Sequence, residues 1–114
     1  MLKGEGKKIL MDEYNYGIDL PITLSGNVLA TDKIVFSVKK TSCKDEKIIK
    51  KEFTNLKEED GKKVFVLSFT QEESKLIPCG KYVYLIHQCR GCELHNTIVN
   101  DGEFIVYKGD TPWE

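Results

Sequence analysis

The sequence predicts an all-β protein in which two antiparallel sheets pack face to face as a sandwich. In several short segments apolar residues recur at every second position, which is the period of a half-buried strand. Turn-forming Pro, Gly, Asn and Asp residues separate these segments. Because no long helical pattern lies between them, a parallel α/β arrangement is not expected. The pattern amounts to about seven strands, with one short helical turn near residues 70–76.

The composition is that of one ordinary globular domain. With 114 residues, 40% hydrophobic and 31% charged, we expect a single domain over residues 1–114 with its core over about 9–107. The net charge of −1 gives no general attraction to nucleic acid or to a membrane surface. No apolar run approaches the ~20 residues of a membrane span, and no signal-peptide core follows Lys8. We therefore expect a protein made in the cytoplasm, neither transmembrane nor secreted by a signal peptide.

The first predicted strands are half-buried. Residues 18–24 alternate apolar and polar side chains, and Pro21, which lacks an N–H for the ladder, predicts a sheet edge or a break there. Residues 33–39 alternate in the same way, with Val35 as the apolar exception on the polar face. Residues 48–53 fit either a short edge strand or one helical turn.

The middle of the chain contains a turn and a helix start. The polar residues 55–63 contain the turn signal Asp60-Gly61 and are expected to link to a strand at 64–69. Thr70 and Glu73 have the spacing of a capping box, which predicts a single helical turn that ends before Pro78.

The last strands follow this turn. Residues 81–89 place Tyr82, Tyr84 and Ile86 on one face of a strand and Val83, Leu85 and His87 on the other. Turns are expected at Arg90-Gly91 and at Asn100-Asp101-Gly102. They would separate this strand from strands at 93–99 and 104–107.

The segment around Tyr82 indicates which kind of sandwich this is. Pro78 and Gly80 form a corner that leads directly into a strand headed by Tyr82. In a tyrosine corner the phenol bonds the backbone a few residues upstream, here near Leu76 or Ile77. The sequence therefore predicts an immunoglobulin-like antiparallel β-sandwich.

The cysteines and histidines of residues 87–95 are the sharpest chemical candidates. Cys89 and Cys92 could share Zn²⁺ with His87 and His95, but on a regular hairpin His95 points away from the other three. If Arg90-Gly91 is the turn, the two cysteines face each other and could form a disulfide. In a cytoplasmic protein free thiols are the default. We predict no metal site here.

Catalytic signatures are missing from the sequence. There is no Gly-x-Ser-x-Gly elbow, no phosphate-binding glycine loop and no recognisable triad context for either histidine. We therefore expect a protein that is not an enzyme and has neither a cofactor nor a small-molecule substrate.

The best surface candidates are Val83, Leu85 and His87, which the alternation turns away from the core. An outward apolar pair on a sheet can mark a contact with another subunit, or it can be covered by a terminal segment. Trp113, in a polar tail, could pack back on the domain or dock on a partner. These four residues are the predicted interaction site.

The order of these elements resembles the immunoglobulin-like domain at the N-terminus of phage baseplate upper proteins. The segments that carry the resemblance are residues 17–24, 32–39, 64–69, 76–84 and 100–106. It implies a non-catalytic phage or prophage structural module of a tail or baseplate, in the virion or the host cytoplasm. Such a module would act through contacts with itself or with other virion proteins. The hairpin of Cys89 and Cys92 is not a feature of that family.

Two alternatives stay open at this point. The chain could be a small intracellular binding protein that modulates a host enzyme. It could also be a zinc- or thiol-dependent protein centred on the Cys89/Cys92 hairpin.

Overall fold

A computed structural model of the protein describes residues 2–13, 16–24, 26–41, 46–91 and 93–108. Over these residues the chain forms nine strands and one short helix. The elements are β1 Leu2–Glu5, β2 Lys8–Asp12, β3 Leu20–Leu24, β4 Lys33–Lys39, β5 Lys47–Phe53, β6 Lys57–Glu59, β7 Lys62–Leu67, α1 Gln71–Lys75, β8 Gly80–Arg90 and β9 Glu93–Tyr107.

The strands form two sheets, which confirms the predicted all-β sandwich. The large sheet has six strands in the order β1-β2-β9-β8-β4-β5, and the small sheet has three in the order β3-β7-β6. Immunoglobulin-like sandwiches place strands B, E and D in one sheet and C, F and G in the other. The small sheet follows the first order with β3, β7 and β6. The strands β4, β8 and β9 follow the second, and β5 extends that sheet.

The N-terminal hairpin was not predicted. Strands β1 and β2 pair antiparallel around Gly6, which adopts φ 63°, and Leu2, Ile9 and Met11 are buried in the core. Residues 9–11 are all apolar, so the alternation of a half-buried strand is missing from the sequence there. Leu10 is apolar because it is also buried, on the opposite face of the sheet. Strand β2 then pairs with β9 in parallel, so the prediction of a wholly antiparallel sandwich is wrong at this one pair.

The predicted turn at residues 100–102 is also wrong, because β9 continues through it as one strand. Tyr84 pairs with Gly102 and Ile86 with Val99, so two residues of β9 face Leu85 as a bulge. Gly102 is buried against the ring of Tyr84, where an added Cβ would clash with ring carbons. This glycine is therefore needed for a close approach of ring and backbone.

The middle of the chain follows the predicted pattern with two additions. Of the alternatives for residues 48–53, the edge strand is correct, and the polar link contributes the short strand β6 before the turn at Asp60-Gly61. Helix α1 begins with the predicted capping box. The Glu73 amide donates to Thr70 Oγ1 at 3.2 Å, and the Thr70 amide donates to Glu73 Oε1 at 2.9 Å.

The core lies between the sheets and contains a group of aromatic rings. Phe36 of β4 is fully buried and stacks on Tyr84, with ring centroids 5.5 Å apart. Phe69 and Phe104 contact the same ring at 6.4 Å. Rings from three strands of the large sheet therefore meet at Phe36 together with Phe69, from the connection that follows β7 of the small sheet.

The tyrosine corner is present. Tyr82 is 9% exposed, and its hydroxyl donates to the backbone carbonyl of Pro78 at 2.6 Å. The acceptor is thus one residue nearer than the predicted Ile77. Gly80, between them, adopts φ 152°, a conformation that favours glycine. The corner fixes how the chain enters β8, the strand that carries the candidate surface.

Candidate interaction surface

The candidate surface is the side of the large sheet that faces away from the small sheet, and we call it the outer face. Because side chains alternate along a strand, the neighbours of the core residues Phe36, Tyr84 and Phe104 point to this side. Five apolar residues form a diagonal band across it, which we call the apolar band. Its members are Leu10, Ile105, Val83, Leu85 and Val35.

The apolar band is less exposed than the sequence predicted. Leu85 faces outward as predicted but is only 7% exposed, so the expected exposure is wrong, and its role in a contact stays a prediction. It lies opposite Ser37 of β4 and the bulge of β9, with Val83 and His87 next to it on β8. These neighbours on the same face surround it. Val83 and His87 are half-buried.

Three members of the band are buried without belonging to the core. Leu10, Val35 and Leu85 are 6–8% exposed, and none of them is part of the core cluster between the sheets. The outer face therefore carries a second apolar group of its own. Beside it, a shallow depression of about 360 Å³ is lined by Val83, Ile105 and Lys81, among others.

Among the described residues, the outer face carries positive charges that have no ion-pair partner. Four lysines, which we call the outer-face lysines, form no ion pair within the described part of the chain. In contrast, Glu52 lies 3.3 Å from Lys33, and Glu103 lies 3.6 Å from Lys8. The outer-face lysines are Lys39, Lys47, Lys50 and Lys81.

Lys39 is the most unusual of these lysines. It is 8% exposed and lies opposite Val83 on the neighbouring strand. Among the described residues it has neither a hydrogen bond nor an ion pair. Its aliphatic stem is thus covered, while its charge has no counterion.

The lysines of the outer face affect the pKa of His87. Burial lowers the pKa of His87, and the nearby charges of Lys47 and Lys39 lower it further. The imidazole is therefore neutral at neutral pH. The register places these side chains on one face, because Lys39 of β4 lies opposite Lys47 of β5 and Val35 of β4 lies opposite His87 of β8.

The cysteine hairpin differs from its predicted geometry. Arg90 pairs with Glu93, and Cys89 pairs with Leu94. The predicted pairing of Cys89 with Cys92 is therefore wrong. The thiols of Cys79 and Cys89 are free. Within the described ranges, no three His, Cys, Asp or Glu side chains come together as a metal site. Cys92 itself, and also Trp113, lie outside the described residues.

A buried polar network at the end of β8 was missed by the sequence reasoning. Asp32 is fully buried and accepts hydrogen bonds from Arg90 Nε at 3.0 Å, Gln88 Nε2 at 2.7 Å and the Leu29 amide at 2.9 Å. The hydrogen bond from Arg90 holds the pKa of Asp32 well below its usual range, although burial opposes this. Gln88 also donates to the Asn27 carbonyl at 3.1 Å. These hydrogen bonds connect the loop that precedes β4 with strand β8.

The network could not be found from spacing, because Asp32 is 56 and 58 residues from its two side-chain partners. The one local signal was an acidic residue directly before a strand, which is common at turns.

Comparison with protein-family models, with curated proteins and with solved structures finds no match. No helix in the described part of the chain has the length and apolar character needed to cross a membrane. The fold and the outer face together define an all-β sandwich with a candidate surface for protein contacts.

Proposed function

We propose that the protein is a non-catalytic structural module of a phage or prophage particle, a tail or baseplate component that acts through protein–protein contacts. The phage assignment is supported by the resemblance to the N-terminal domain of baseplate upper proteins. The segments that carry it include strands β4 and β8 and the tyrosine corner at Tyr82.

The observation that carries the binding role is the outer face. Protein interfaces combine an apolar centre with a polar rim. Here an apolar band, with three buried and two half-buried members, lies beside lysines that have no counterion among the described residues. A sheet also presents such groups on a rigid support, which lowers the entropy lost on binding.

The test is whether the protein is part of a particle. Phage particles released from cells that carry the gene are purified by density gradient and digested for quantitative mass spectrometry. We expect peptides of this chain at a fixed ratio to the major capsid protein across the gradient fractions.

A chain absent from the particle fractions, and recovered instead in a stoichiometric complex with a host enzyme, would contradict this function. That result would favour the intracellular modulator. A cytoplasmic host protein of similar abundance serves as the control for carry-over into the gradient.

A further inference from the structure

We infer that the outer face of the large sheet binds an acidic surface of a different protein, with the outer-face lysines placed around the apolar band. The inference rests on the proposed function in one respect, namely that the partner is a protein. It adds which surface is used and which charge the partner carries.

The first step is Lys39, which gives the clearest indication of the partner's charge. The residue is 8% exposed because its aliphatic stem is covered, while its ammonium keeps contact with solvent: among the described residues, the buried side-chain polar atom without a hydrogen-bond partner is Ser37 Oγ, not Lys39 Nζ. Lys39 forms no ion pair within the described residues, so its charge is presented on the outer face without a counterion from this chain. A carboxylate brought by another protein would supply the counterion and would sit directly over Val83, which lies opposite Lys39.

The second step is the clustering of positive charge. Lys39 of β4 pairs with Lys47 of β5 and with Val83 of β8, so these two cations lie side by side on the outer face. Both add to the lowering of the His87 pKa that burial causes. Lys50 and Lys81 extend the positive area along β5 and β8. Mutual repulsion among these groups is relieved when an acidic surface covers them.

The third step excludes a symmetric dimer through this face. A two-fold contact places the same patch of both copies against itself, so lysines would meet lysines. Like charges brought together across an interface are strongly unfavourable. The acidic side chains of this face do not offset this, because Glu5, Glu52 and Glu103 already have lysine partners and Asp12 is engaged as well.

The surface is tested first with a defined probe, poly-L-glutamate, titrated into the full-length ¹⁵N-labelled protein. We expect chemical-shift changes concentrated on β4, β5 and β8. The double variant Lys47→Glu/Lys50→Glu should bind about tenfold more weakly or worse, because two attractive contacts become repulsive. The matched control Lys57→Glu/Lys62→Glu changes the net charge equally on the small sheet, where both lysines are exposed, and should bind as the wild type does.

Equal weakening in both double variants, or shift changes centred on the small sheet, would overturn the inference. If Lys47→Glu/Lys50→Glu fails to fold, the single variant Lys81→Glu replaces it, because Lys81 is exposed at the start of β8. The same loss of binding is then expected at that position, and unchanged binding would overturn the inference.

The natural partner is tested in the particle with a zero-length carbodiimide, which joins lysine amines to carboxylates in direct contact. We expect crosslinks from Lys47, Lys50 or Lys81 to Asp or Glu of another virion protein. Crosslinks confined to Lys57 and Lys62, or running to acidic residues of a second copy of this chain, would overturn the inference. Absence of the chain from the particle would instead contradict the proposed function, and the titration would still decide the surface.

Discussion

Replacing Tyr82 by Phe tests the corner on which the fold assignment depends. The substitution keeps the ring and removes the hydroxyl that donates to the Pro78 carbonyl at 2.6 Å. A hydrogen bond of this kind contributes about 0.5–1.5 kcal/mol net, and a partly buried acceptor left without a partner adds to the loss. We therefore expect a decrease of about 1–2 kcal/mol in the free energy of unfolding.

The full truncation Tyr82→Ala also removes a ring that is 9% exposed. Loss of a buried aromatic side chain costs about 3–5 kcal/mol. The two variants together separate the hydrogen bond from the packing of the ring.

The assay is urea unfolding at pH 7, monitored by the circular dichroism of the backbone. With a slope of roughly 1.5 kcal/mol per M urea for a domain of this size, Tyr82→Phe should lower the midpoint by about 1 M. The matched control is Tyr107→Phe, because Tyr107 is 45% exposed. Equal midpoints for Tyr82→Phe and the control would show that the hydrogen bond to Pro78 does not stabilise the fold.

Three further predictions concern other parts of the fold. Gly102→Ala should cost about 1–3 kcal/mol because its Cβ meets the ring of Tyr84, whereas Gly4→Ala, with open space around it, should cost less; urea midpoints compare the two. Asp32→Asn should destabilise the fold strongly at pH 7, and progressively less as the pH falls below about 4. Because the folded state lowers the pKa of Asp32, the carboxylate stabilises the fold at pH values above the ordinary carboxyl pKa, and acidification removes this contribution. A loss that is the same at pH 3 and pH 7 would contradict this. Thr70→Ala should cost about 1 kcal/mol by removing the cap of α1, and an unchanged melting temperature would argue against the cap.

The parts of the fold that were predictable are those with local signals. Alternating residues located β3 and β4, the apolar run that begins at Val64 located most of β7, and the Thr70–Glu73 spacing located the helix start. The Pro-x-Gly-x-Tyr segment located the corner, because its geometry is set within a few residues.

The parts that were missed depend on contacts between distant residues. Strand β2 is defined by its pairing with β1 and, in parallel, with β9, whereas its three consecutive apolar residues do not show the period of a half-buried strand. The bulge at Gly102 reads as a turn in sequence, since Asn-Asp-Gly favours turns wherever it occurs. Whether this segment forms a turn or a bulge depends on the pairing register of β8 and β9, which a single sequence does not reveal.

The candidate surface was only partly predictable, because its burial and its charge depend on which strands lie side by side. The period of two placed Val83, Leu85 and His87 on one face, but the burial of Leu85 depends on which residues of β4 and β9 lie beside it. The outer-face lysines come from β4, β5 and β8, so their clustering follows from the pairing of the strands. In the sequence, Lys39 and Lys81 look like ordinary solvated charges.

The measurement that tests the central proposal most directly is a cryo-electron microscopy reconstruction of the particle at a resolution that shows side chains. We expect the large sheet to lie against a neighbouring virion protein, with an Asp or Glu of that protein within salt-bridge distance of Lys39. A reconstruction in which this face is open to solvent and the small sheet forms the contact would contradict it.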